Sequence, residues 1–162
     1  MFICFVFFVL CVTLKLQGRT MVKICFICTG NTCRSIMAER LMKSILKKQK
    51  IDDIKVSSKG IRANGENISE NAKVVLKKLK ASASNRKSVK LGKIDKDTLY
   101  IVMTENMKHY VNSKKVLSMK DLTGNDIMDP YGMGEEEYLK TANQILQGID
   151  CLLNKIYMWR EK

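Results

Sequence analysis

The sequence predicts an α/β fold: a four-stranded parallel sheet with helices on both faces. Three observations point there. Short apolar, β-prone runs alternate with longer segments whose apolar residues step by three and four, the pattern of strands joined by crossover helices. The first run, Val22 to Ile27, is apolar at nearly every position, as a strand buried within a parallel sheet is. A chain of 162 residues with one proline and nine glycines suits a single core without a flexible linker.

The elements follow in order. Residues 1–20 begin with MFICFVFFVLCVTL, an apolar run that stops at Lys15. It is shorter than the roughly 20 residues of a membrane span, lacks a basic start and shows no small-x-small cleavage site. It is expected to lie outside the fold, through an upstream start assignment or as an N-terminal membrane anchor, leaving 21–162 as the folded domain. Val22 to Ile27 is the first strand, and Cys28 to Arg34 a loop of small residues. Ser35 is placed to cap a helix reaching Lys48, with Met37, Leu41 and Ile45 on one face. Ile54 to Ser58 is the second strand, and Gly60 and Gly65 punctuate the loop after it. Ile68 to Lys80 is an amphipathic helix. Leu99 to Met103 is the third strand, Glu105 to Val111 a helix and Lys115 to Ser118 a short strand. Glu135 to Trp159 is a long helix, its apolar face marked by Tyr138, Ala142, Ile145, Ile149, Leu152 and Ile156. Acids gather at its start and Lys155 and Arg160 near its end, as the helix dipole favours.

The net charge is +13, which favours anionic partners. Lys15 and Arg19 are the leader's only charges, so the remainder keeps +11. The lysines are dispersed, however. Lys73, Lys77 and Lys80 lie opposite the stripe Ala72, Val75, Leu76 and Leu79 and read as a solvated helix face. Aromatic residues for base stacking are few, so no nucleic-acid partner is expected. Cys4 and Cys11 sit in the leader, Cys25, Cys28 and Cys33 cluster, and Cys151 stands alone. That is no disulfide framework, and it implies a reducing compartment, the cytoplasm. Nor is it a zinc site: the cluster lacks a paired C-x2-C set, and only Cys151 and His109 remain as ligands.

Chemistry concentrates in Cys28-Thr29-Gly30-Asn31-Thr32-Cys33-Arg34-Ser35. A loop between strand and helix turns backbone N–H groups inward, and the helix start adds positive potential, so an anion is held there. The same field favours the thiolate of Cys28, the stronger nucleophile. Arg34 offers a planar fork suited to two phosphate oxygens. Ser35 can donate its hydroxyl to the thiolate, and Gly30 is expected to supply close approach and a positive φ. Farther on, Asp129 precedes the only proline, Pro130; a carboxyl group on such a loop can protonate a leaving group. Asp126 is its neighbouring competitor. No metal or cofactor is called for.

With C-x5-R-S placed directly after the first strand, the chain resembles the low-molecular-weight protein tyrosine phosphatases. Ser58-Lys59-Gly60 is similar to the family's Ser-x-Gly, Met103-Thr104 to the end of its third main strand, and Asp129-Pro130-Tyr131-Gly132 to its general-acid loop. The match covers most of Met21 to Ile156. It implies Cys28 as nucleophile, Arg34 as phosphate clamp and Asp129 as general acid, with Thr29, Gly30, Asn31, Thr32, Cys33, Ser35 and Tyr131 around the substrate. It also implies that Asn31 and Ser58 brace the loop. A histidine often joins this brace; here the matching helix reads Ser69-Glu70-Asn71. Thr32 stands where many tyrosine phosphatases of this family carry a bulky apolar residue, and CTGNTCRS resembles the bacterial protein-arginine phosphatases. The expectation is a protein phosphatase acting on phosphoarginine in phosphorylated proteins, with phosphotyrosine as the alternative. Arsenate reductases of this fold relay oxidation through downstream cysteines, and none lies between Cys33 and Cys151. A catalytically silent phosphoprotein-binding module is disfavoured by the intact Cys28, Arg34 and Asp129.

Overall fold

The computed structural model describes residues 20–83 and 85–161. The expectations about the leader therefore fall outside the described residues. Among the described residues no helix is long and apolar enough to cross a membrane.

The chain alternates strands and helices: β1 (Val22–Cys28), α1 (Arg34–Lys48), β2 (Ile54–Gly60), α2 (Glu70–Lys78), β3 (Thr98–Val102), a 3-10 helix (Glu105–Tyr110), β4 (Val116–Ser118), α3 (Met119–Thr123) and α4 (Glu135–Arg160). The sheet order is β2-β1-β3-β4, with every pairing parallel. Successive side chains of a strand face opposite sides. Ile24 to Cys28 of β1 are all buried, so both faces of the central strand are covered. β2 lies at the edge and shows the alternation of a half-covered strand: Ile54, Val56 and Ser58 are buried while Lys55 and Ser57 are exposed. α4 buries Tyr138, Ala142, Ile145, Ile149, Leu152 and Ile156, the face expected from its spacing, and it packs on α1, α2 and α3. α2 buries Ala72, Val75 and Leu76 and turns its lysines outward.

Several expectations are corrected. The second helix is shorter than 68–80, spanning only Glu70–Lys78. Residues 105–110 form a 3-10 helix; six residues between two sheet-bound segments leave little room for α turns. α3 carries no long apolar period; a Ser118–Asp121 capping box starts it and Gly124, at φ 85°, ends it. Ser35 is not a cap. α1 begins at Arg34 with Cys33 in the N-cap position, and no side chain caps it. The first amides of this 15-residue helix lack intrahelical acceptors and remain as donors facing the loop.

Candidate active site

The loop from Cys28 to Arg34 lies at the carboxyl end of β1, where ligands bind in open parallel sheets. Its backbone is shaped by β2. Ile61 and Arg62 donate their N–H groups to the carbonyls of Cys28 and Thr29, at 2.9 and 2.8 Å. Gly60 lies directly beneath. A Cβ there would stand 2.8 Å from Thr29 O, Gly30 C and Asn31 N, so the loop can pass only over a residue without a side chain. The positive φ expected at Gly30 is instead at Asn31, at 57°.

Asn31 tolerates that conformation because its side chain is fully engaged and wholly buried. Its Nδ2 donates to Ser35 Oγ at 2.8 Å and to Ser58 Oγ at 2.9 Å, and its Oδ1 accepts the Val89 N–H at 3.0 Å. Two donors and one acceptor are thereby satisfied, which also fixes the orientation of the amide. The brace expected from Asn31 and Ser58 continues to residues the sequence did not single out. Ser58 Oγ donates to Glu39 Oε2 at 2.6 Å, and Arg86 Nη2 reaches both Ser58 Oγ (2.6 Å) and Glu39 Oε2 (2.8 Å). Glu39, one helical turn beyond Ser35, is buried. Burial alone would raise its carboxyl pKa, but hydrogen bonds from Lys43 and Ser58 and the charge of Arg86 hold it below the usual range. An Arg86–Glu39 pair thus backs Ser58 behind the loop. The only signal for it was a charged residue one turn past the loop, a common sight on any helix.

The Cys28 sulfur is buried and ringed by donors. The Asn31 N–H points at it from 3.2 Å, and Ser35 Oγ lies 3.0 Å away. Ser35 Oγ accepts from Asn31 Nδ2, and its own proton can reach either the sulfur at 3.0 Å or Lys59 O at 3.4 Å. Such donors stabilise negative charge on sulfur. Arg34 is clamped beside it: Nη1 donates to Ile127 O at 3.0 Å and Nη2 to Asp129 Oδ2 at 2.5 Å. Its buried Nε has no hydrogen-bond partner among the described residues, leaving a donor for an anion in the loop.

Asp129 reaches the site because Ile127, buried, is pinned to the sheet through its N–H to Met103 O at 2.9 Å. Its second oxygen accepts the Tyr131 N–H at 3.3 Å. Asp126 is engaged elsewhere, accepting the Glu105 N–H at the start of the 3-10 helix at 2.8 Å. Cys28, Thr29, Gly30, Thr32, Cys33, Arg34, Asp129 and Tyr131, together with Glu66, line one cleft of about 230 Å³. Every substrate-contact residue expected from the sequence is at this place except Asn31 and Ser35, which lie behind the loop; Glu66 was not foreseen. Cys33 lines the cleft and also reaches α4 through its sulfur. Its sulfur lies 3.1 Å from Tyr138 Oη, and that oxygen accepts from Ser69 Oγ at 2.9 Å. Burial pushes the pKa of the Cys33 thiol up, against the opposing hydrogen bonds of Tyr138 and Thr32, and burial likewise raises that of Tyr138.

A concave anion cradle, a buried sulfur among donors, an arginine fork and a carboxylate at the rim make nucleophilic displacement at phosphorus feasible here. Comparison with known proteins agrees with that chemistry. The family model described as low molecular weight phosphotyrosine protein phosphatase matches residues 23–161. The protein-arginine-phosphatase of Geobacillus stearothermophilus is 34% identical over 145 residues, covering 83% of this chain and 95% of that protein. A solved low molecular weight protein tyrosine phosphatase from T. tengcongensis superposes with a TM-score of 0.76 at 33% identity, covering 83% of this chain and 99% of that one. The YwlE arginine phosphatase, solved as a cysteine-to-serine variant with a phosphorylated active-site serine, gives 0.74 at 28% identity, over 84% of this chain and 96% of that one. With the motif, the fold and the cleft in agreement, the chain belongs to the low molecular weight phosphotyrosine protein phosphatase family.

Proposed function

We propose that this chain is a protein-arginine phosphatase that works through a cysteinyl-phosphate intermediate. The observation that carries the reading is the presence of two polar side chains, Thr32 and Asp129, in the lining of the cleft that holds Cys28. Both are suited to meet the first atoms of a leaving group, and among the described residues no Val, Leu or Ile lines the cleft. A guanidinium entering such a site keeps acceptors for its N–H groups, whereas unsatisfied donors are costly.

In this mechanism the Cys28 thiolate attacks phosphorus in line with the departing nitrogen. The loop amides and the Arg34 fork take up the charge on the three phosphoryl oxygens. The P–N bond breaks as the Asp129 carboxyl gives its proton to the guanidino nitrogen. Water then attacks the cysteinyl phosphate and yields its proton to Asp129; the S–P bond breaks, releasing phosphate and the thiolate. The phosphorylated serine of the YwlE variant supports a covalent route. Ser58, Asn31, Glu39 and Arg86 act behind the loop as positioning residues.

A second reading, phosphotyrosine hydrolysis, is favoured by one feature: the exposed Tyr131 ring at the rim, able to stack on a phenol. The partners in either case are phosphorylated proteins. A nucleic-acid role is disfavoured by the ion-paired lysines of α2, Lys73 with Glu70 and Lys78 with Glu135. A thiolate enzyme suits the reducing cytoplasm. The deciding measurement is kcat/KM for phosphoarginine and phosphotyrosine versions of one peptide. Phosphoarginine should be preferred, and Cys28→Ser should abolish turnover while still binding phosphate. A wild-type preference for phosphotyrosine overturns the arginine reading; substantial hydrolysis by Cys28→Ser overturns the nucleophile.

A further inference from the structure

Glu66 is an anomaly in a site built to hold a dianion. It lies on the loop between β2 and α2 and lines the cleft beside Cys28, Thr32, Arg34 and Asp129. Its Oε2 stands 4.0 Å from where a Cβ on Gly30 would be, so the carboxylate leans over the loop. In a chain of net charge +13, no Lys or Arg pairs with it among the described residues. By simple Coulomb reasoning an unpaired carboxylate here repels phosphate.

The residue is exposed, but its main chain is fixed. The Glu66 N–H donates to Ser88 Oγ and the Glu66 carbonyl accepts the Ser88 N–H, both at 2.8 Å. Ser88 is buried, and the next residue, Val89, donates its N–H to Asn31 Oδ1 inside the loop. The main chain of Glu66 is therefore held in register with the phosphate loop through three consecutive hydrogen bonds. Glu66 also lines an adjoining pocket of about 510 Å³, which shares Thr32 and Tyr131 with the cleft and adds Asn67, Asn71 and Met133.

A negative charge at this point harms a substrate whose leaving group is neutral and helps one whose leaving group is a cation. We infer that Glu66 is a specificity-determining residue that receives the guanidinium of the substrate and penalises aryl phosphates. It divides the work with Asp129: Asp129 supplies the proton, and Glu66 pairs with the leaving group's positive charge. The inference rests on the phosphoarginine reading for its natural substrate, but its physical content is selection for a cationic leaving group.

The test is Glu66→Gln, which keeps size and both main-chain hydrogen bonds, with thermal unfolding as the control for folding. For a phosphoarginine peptide kcat/KM should fall about tenfold, mainly through KM, the scale of one lost charge-assisted hydrogen bond. For the matching phosphotyrosine peptide it should hold or rise. A second pair, 4-(aminomethyl)phenyl phosphate against phenyl phosphate, isolates charge from the guanidinium itself. Wild type should favour the cationic ester, and the variant should lose that preference. If wild type prefers phosphotyrosine yet the cationic-ester preference vanishes in Glu66→Gln, the arginine reading falls and the role of Glu66 stands. If the variant changes both members of each pair by the same factor, the role of Glu66 is overturned whatever the natural substrate.

Discussion

Arg34 and Asp129 are joined across the cleft, Nη2 to Oδ2 at 2.5 Å, with the arginine side chain buried and the carboxylate about half exposed. An incoming phosphoryl group needs the same guanidinium. In the proposed mechanism a phosphoryl group bound to Arg34 therefore competes with this carboxylate for Nη2, while the Nε, unpartnered among the described residues, is open to it from the start.

Asp129→Asn should consequently have two opposite effects. Turnover of substrates with poor leaving groups should fall about 10²- to 10⁴-fold, the usual span for a lost general acid. Inhibition by inorganic phosphate should tighten, because Arg34 no longer has a competing carboxylate. Asp126→Asn should do neither, since that side chain caps the 3-10 helix. The reverse pattern in the two variants would reassign the acid.

The Glu39 carboxyl predicts an acid limit to stability. Its folded pKa is depressed, so its contribution is fully present above the unfolded value and is lost as pH falls through the folded value. The window lies below the ordinary glutamate value of about 4.3. Glu39→Gln should cost about 1–3 kcal/mol at neutral pH and flatten the decline of Tm in acid. An unchanged acid limb in the variant would show that other carboxylates govern it.

Cys33 is the other sulfur of the loop and the candidate to trap an oxidised Cys28 as a disulfide. Trapping requires the Cys33 thiolate, and burial raises the pKa of that thiol. After peroxide treatment, the fraction of activity recovered by reductant should therefore grow from pH 6.5 to pH 8.5 in the wild type. Cys33→Ser should lose that dependence. Mass mapping that pairs Cys28 with Cys25, or with nothing, would contradict the scheme.

Thr32→Ile exchanges a hydroxyl at the cleft for a branched apolar side chain. Phosphoarginine turnover should drop by about one to two orders of magnitude, as expected for donors left unsatisfied in the transition state. Phosphotyrosine turnover should improve through apolar contact with the ring. The ratio of the two kcat/KM values, compared between wild type and variant, reads the effect; an unchanged ratio removes Thr32 from specificity.

The meeting of Cys28 and Arg34 in one cleft is legible in the sequence because C-x5-R directly follows a strand that is plain from Ile24 to Ile27, and Asp129 is legible through its Asp-Pro loop. The brace is not legible. Glu39 and Arg86 are 47 positions apart and meet only because β2 brings Ser58 between them. A buried glutamate on a helix has the same local signature as an exposed one. Ser88 and Val89 are silent for a similar reason: their main-chain and hydroxyl bonds, not their side-chain type, tie Glu66 and Asn31 together. The positive φ went to Asn31 rather than Gly30 because three side-chain hydrogen bonds outweigh glycine's freedom, and such bonds become visible only in three dimensions.

The loop's path over Gly60 bears on portability. Eight residues carry the signature, yet their curve is moulded by a flat stretch of a neighbouring strand and tied from behind by Ser58 and Val89. Transplanting CTGNTCRS onto another strand–helix junction would carry the reagents without the mould. Conversely, Gly60→Ala leaves every reacting group in place yet puts a methyl group against main-chain atoms that cannot swing aside. The structural unit is the pair of adjacent strands, β1 with its loop and β2 as the surface on which that loop is formed.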